Sequence, residues 1–168
     1  VDKAIERSVH ALKERDLEVA HQVIADDVNI NSTRFKIEND ILVLIATQQP
    51  LAGDLRNLAA MLEIITELER IGDYGKGISK ISLMIGDAPL IKPLQDIPRM
   101  AELALDMLRR ALHAYANLDI AEAQQVPAMD NQVDALYNQV YRDLIEFIIS
   151  NPATMEQAVE ALLASIRG

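Results

Sequence analysis

The chain has 168 residues, a net charge of −10, 50% hydrophobic residues, only 4% aromatics and no cysteine. That length suits one domain or two small ones sharing a core, and the Leu, Ile, Val, Ala and Met-rich mix favours a helical bundle over a sheet. The acidic balance argues against a nucleic-acid partner, which would need clustered Lys and Arg, and the lack of cysteine excludes disulfides, thiolate metal sites and a Cys nucleophile.

Proline and glycine punctuate the chain sparsely, at Pro50, in "GDAPLIKPLQDIP" between Gly86 and Pro98, at Pro127 and at Pro152. The intervals predict helices over 1–15, 17–48, 51–84, 94–116, 120–150 and 153–168, an all-α fold. Asp16 stands where an N-cap opens the second helix. Along that helix Val23, Ile30, Ile37 and Leu44 recur every seven residues, a bundle seam. The short Gln48-Gln49-Pro50 link makes the second and third helices neighbours. No apolar run reaches the roughly 18 residues of a membrane span, and no signal peptide is visible.

The chain repeats itself. At a shift of 103, Asp16, Leu17, Ala20, Gln22, Val23, Ala25 and Asp27 meet Asp119, Ile120, Ala123, Gln125, Val126, Ala128 and Asp130. The seam continues without a gap onto Val126, Val133, Val140 and Phe147. The expected architecture is a tandem of two three-helix bundles, residues 1–88 and 89–168, with the second incomplete. The missing third helix implies a longer chain, roughly 210 to 220 residues.

The third helix places Leu58, Leu62, Ile65, Glu69, Gly72 and Lys76 on one narrow face. Glu69 sits where the pattern asks for Leu, and Asp73 lies one turn on at the edge of the same face. Two like charges so placed repel, and burying an unpaired carboxylate costs several kcal/mol, so a cation is expected nearby. The second helices add oxygen donors at the same spacing, Asp27 with Asn31 and Asp130 with Asp134. Antiparallel helices bearing such pairs would offer four oxygen ligands to Mg, Mn, Fe or Zn. Gly72 would let the facing backbone approach. Gly75 and Gly77 have no such ready role, and glycines so spaced could instead end the helix near Tyr74. Arg56 and Arg70 project away from the apolar face, as solvated or ion-paired residues do, and His10, His21 and His113 are scattered.

At these residues the sequence becomes similar to a known family. "QQPLAGDLR" (48–56) followed by "LERIGDYGKGIS" (68–79) resembles the PhoU family of phosphate-signalling regulators, and "DNQVDALYNQVYRDL" looks like the opening of that family's second repeat. The resemblance implies a cytoplasmic, non-enzymatic regulator acting with the ATPase of a phosphate-specific ABC transporter and with the phosphate-regulon sensor kinase, peripheral to the membrane at most and compatible with a homodimer. It also implies bound iron, zinc or a similar metal ion on Glu69, Asp73 and Asp27 in the first copy and on Asp130 and Asp134 in the second.

Two other readings fit the same residues. A helical adaptor with solvated carboxylates needs no metal. A di-metal carboxylate oxidase would want a Glu-x-x-His from each of two helices, and only Glu18 to His21 has that spacing.

Overall fold

The computed structural model describes residues 1–87 and 94–150. Six helices run in order: α1 (Asp2–Glu14), α2 (Leu17–Gln48), α3 (Ala52–Ile85), α4 (Asp96–Asn117), α5 (Ile120–Ala123) and α6 (Val126–Ser150). There is no strand among the described residues. The helix expected over 153–168 lies outside them.

The repeat is visible in the chain's turns. Arg15 closes α1 in the left-handed region at φ 59°, and Leu118 closes α4 there at φ 53°. The next residue caps the following helix in both cases. The Asp16 carboxylate accepts from the Val19 amide at 3.0 Å, and the Asp119 carboxylate from the Glu122 amide at 2.9 Å. Behind them the amides of Asp16 and Asp119 donate to the carbonyls of Ala11 and Ala114 at 2.9 and 2.8 Å. Each pair is 103 residues apart.

One expected helix is divided. Residues 120–150 form α5 and α6 rather than a single rod, with a turn at Gln124 and Gln125. Pro127 has no amide to donate, and its ring would strike the carbonyl one turn back, so a helix tolerates it only in its first turn. Val126 accordingly starts α6. At the same repeat position α2 has Ile24 and runs on unbroken.

The main core joins Ile5, Val9 and Leu12 of α1 to Ile78 and Ile81 of α3 and to Ile97 and Leu105 of α4. A second cluster joins Met100 of α4 to Val140 and Leu144 of α6. Helix α4 is therefore shared, facing the first unit with one side and α6 with another. The heptad seam of α2 is only partly covered: Val23 is buried, but Ile37 and Leu44 are 38% and 43% exposed. At about 1.5 Å per residue, α1 spans roughly 20 Å against roughly 48 Å for α2, so it roofs one end of the α2–α3 hairpin. At the far end the Tyr115 hydroxyl of α4 donates to the Asn57 carbonyl of α3 at 2.9 Å.

Candidate functional site

The site that the carboxylates mark lies where α2 and α3 cross beneath α1. The helices run antiparallel, Ile30 meeting Gly72 and Asp27 meeting Lys76. A Cβ added at Gly72 would come within 3.0 Å of Ile30 Cδ1, so this glycine seats a side chain rather than a facing backbone. Backbone approach falls to Gly75, where an added Cβ would meet the Ala4 carbonyl carbon and oxygen of α1 at 3.2 and 3.3 Å. Helix α3 does not end at these glycines but continues to Ile85.

Asp27 is 6% exposed, and the Lys76 ammonium reaches its Oδ2 at 2.6 Å. Asn31 adds its side-chain amide, donating to the same oxygen at 3.3 Å and to the Asp27 carbonyl at 3.2 Å. Asp73, nearly half exposed, lies 3.7 Å from the ammonium on the other side. Lys76 holds its proton above the ordinary lysine range, chiefly through the hydrogen bond it donates to Asp27, with partial burial opposing and the charges of Asp27 and Asp73 adding. The cation that the buried carboxylate needs is thus a lysine of this chain. It belongs to the same face as Glu69 and Gly72, a signal in the sequence that the expectation of a metal ion passed over. Spacing alone pairs it with Asp73, one turn away, whereas its closer partner is 49 residues distant.

Glu69 is turned elsewhere. It borders a hollow of about 250 Å³ lined by Ile30, Thr33, Arg34, Ile37 and Ile65. In the second repeat Asp130 and Asp134 are both exposed on α6. Among the described residues no three His, Cys, Asp or Glu side chains are placed to hold a metal. As arranged, Glu69, Asp73, Asp27 and Asn31 do not fit a metal cage, because an ammonium stands between two of the carboxylates and the amide presents a donor. Arg70 pairs with Glu67 at 2.9 Å, and His113 with Glu122 at 2.6 Å.

Fold and site define a repeated all-helical scaffold whose charged junction ties α2 to α3. The chain matches the PhoU domain over residues 1–82 and 97–167, and it belongs to the PhoU family. It is 31% identical over 159 residues to the phosphate-specific transport system accessory protein PhoU homolog of Aquifex aeolicus, covering 95% of this chain and 72% of that protein. The homolog of the same description from Caulobacter vibrioides is 34% identical over 158 residues, covering 94% and 69%. The crystal structure of PhoU from Pseudomonas aeruginosa superposes with a TM-score of 0.91 at 24% identity, over 99% of this chain and 80% of that one. The phosphate transport system regulatory protein PhoU from Streptococcus pneumoniae gives a TM-score of 0.88 at 25% identity, over 99% and 78%.

Proposed function

We propose that this protein is a cytoplasmic, non-enzymatic regulator of phosphate uptake and phosphate-regulon signalling. It would work by contact with the ATPase of a phosphate-specific ABC transporter and with the regulon's sensor kinase, through two repeat units at 1–88 and 89–168. The observation that carries this reading is the likeness, across 95% of the chain, to a protein described as a phosphate-specific transport system accessory protein. The outer surface of the α2–α3 hairpin supports it. Val28, Phe35, Leu42, Val43 and Leu51 are each more than half exposed there, an apolar surface suited to another protein. Among the described residues no helix is long and apolar enough to cross a membrane, which agrees with attachment through a partner. The contact needs no metal step.

The test is co-purification of the chain with the transporter ATPase and, separately, with the sensor kinase, at high and low phosphate. A complex with either that Phe35→Asp or Leu51→Asp weakens by tenfold or more, with helicity kept, is the expected result. Failure to bind either partner at any phosphate level would overturn the reading in favour of a structural adaptor.

A further inference from the structure

We infer that in the first repeat Lys76 takes the place of the metal ion that Glu69, Asp73, Asp27 and Asn31 were expected to hold, tying α2 to α3 through Asp27 Oδ2 without a divalent cation.

The Lys76 ammonium sits 2.6 Å from Asp27 Oδ2 and 3.7 Å from Asp73 Oδ1, a position between the two carboxylates. A divalent ion binding the same oxygens would lie about 2.0–2.6 Å from each, so the two cations compete for one space. Evicting the lysine would leave its charge without the Asp27 partner, and the packing around it is tight: Gly72 lies against Ile30 and Gly75 against the backbone of Ala4. The remaining donors reinforce the choice. Asn31 offers Asp27 an N–H rather than a carbonyl oxygen, as its two hydrogen bonds require. Glu69 faces the hollow beside Arg34 and Ile65. The second repeat has no buried charge to answer, since Asp130, the counterpart of Asp27, is exposed. An internal ammonium also makes the junction indifferent to the supply of metal, a property separate from which partner the protein contacts.

The experiment uses the whole chain. It is dialysed against Mn²⁺, Fe²⁺ or Zn²⁺, passed through gel filtration, and assayed for metal content and for its thermal midpoint with and without EDTA. The parent should keep much less than one metal per chain, and EDTA should leave its midpoint unmoved. Lys76→Gln should melt lower than the parent, and Mn²⁺ or Zn²⁺ should raise the midpoint of this variant only. Lys76→Arg, which keeps the charge, should ignore both EDTA and metal. One metal or more per parent chain, lost in Glu69→Gln or Asp27→Asn, would overturn the inference, as would a parent midpoint lowered by EDTA. Should Lys76→Gln fail to fold, the parent and Lys76→Arg still decide the question.

Discussion

Arg109 and Glu6 occupy the same position in the two repeats, 103 residues apart, and their side chains meet at 2.7 Å. Arg109 also donates to Asp2 at 2.6 Å, so one guanidinium on α4 gathers two carboxylates of α1. When a position in a repeated unit touches its own counterpart, the contact lies at the local axis relating the units, as residues do at the centre of an isologous dimer interface. Here the two copies have diverged to opposite charge, turning what would be self-repulsion in an identical pair into attraction. Arg109 keeps its proton still more firmly than a free arginine, through hydrogen bonds to Asp2 first and Glu6 second.

Reversing that charge should loosen the units. Arg109→Glu would set three carboxylates together at the axis and lower the thermal midpoint, and adding Glu6→Arg should recover part of the loss. Arg109 and Glu6 are solvent-exposed and Asp2 partly so, so the deficit should shrink as salt rises and the Debye length falls. A deficit unchanged between low and 1 M salt would mean that Arg109 acts through packing of its stem instead.

The Asp27–Lys76 pair should behave differently because one partner is buried. Removing a single partner of a buried pair typically costs roughly 3–5 kcal/mol. Lys76 is 31% exposed, so Asp27→Asn or Lys76→Met should cost about 2–3 kcal/mol. The double variant should cost less than the two singles summed, a coupling readable from urea denaturation as a double-mutant cycle. The sign of the pH effect follows from the raised lysine. Its contribution is intact below the ordinary lysine value of 10.5 and is lost as pH climbs through the higher folded value. Parent and Lys76→Met should therefore converge in stability only at strongly alkaline pH.

The two glycines of the crossing should separate by what faces them. Gly75→Ala drives a methyl into the backbone of Ala4, which cannot yield without moving α1, and should cost about 1–3 kcal/mol. Gly72→Ala meets a side chain instead, Ile30 Cδ1 at 3.0 Å and Cγ2 at 3.1 Å, and the cost of shifting it is offset by up to about 1 kcal/mol of helix propensity. The second change should be near neutral by chemical denaturation. Equal losses at both positions would show that Ile30 is as fixed as backbone.

Much of this was legible because local chemistry repeats. Asp16 announced its cap, the 103-residue interval announced the tandem, and the Gln48-Gln49-Pro50 link announced the hairpin. The break at Gln124 and Gln125 was harder, since alignment with the unbroken α2 outweighed the one residue, Pro127, that forbids continuity. At the site, the demand for a cation could be read from Asp27, Glu69 and Asp73, but its identity could not. Spacing on one helix pairs Lys76 with Asp73, while the shorter bond, to Asp27, depends on how α2 and α3 are set against each other. The exposure of Ile37 and Leu44 is likewise a matter of how far α1 reaches, which no periodicity within α2 records.

The paired turns offer a last test, because they solve the same problem with residues that do not suit it. Arg15 and Leu118 both adopt the left-handed conformation, at φ 59° and 53°, and neither is glycine. An L-residue pays about 1–2 kcal/mol there, whereas glycine is free of that strain but loses roughly 0.5–1 kcal/mol more entropy on folding. Leu118 is 71% exposed and gives up little burial, so Leu118→Gly should stabilise the chain by about 0.5–1 kcal/mol. Arg15→Gly should gain less, since it forfeits the hydrogen bond from Arg15 Nη1 to the Asp87 carbonyl at 3.3 Å. The neighbouring caps set the opposite bound: Asp119→Ala and Asp16→Ala should each lose about 0.5–2 kcal/mol and by similar amounts, their bonds being 2.9 and 3.0 Å. Urea midpoints of the four variants check the set. A destabilised Leu118→Gly would show that the Leu118 side chain contributes packing at the turn that outweighs its strain.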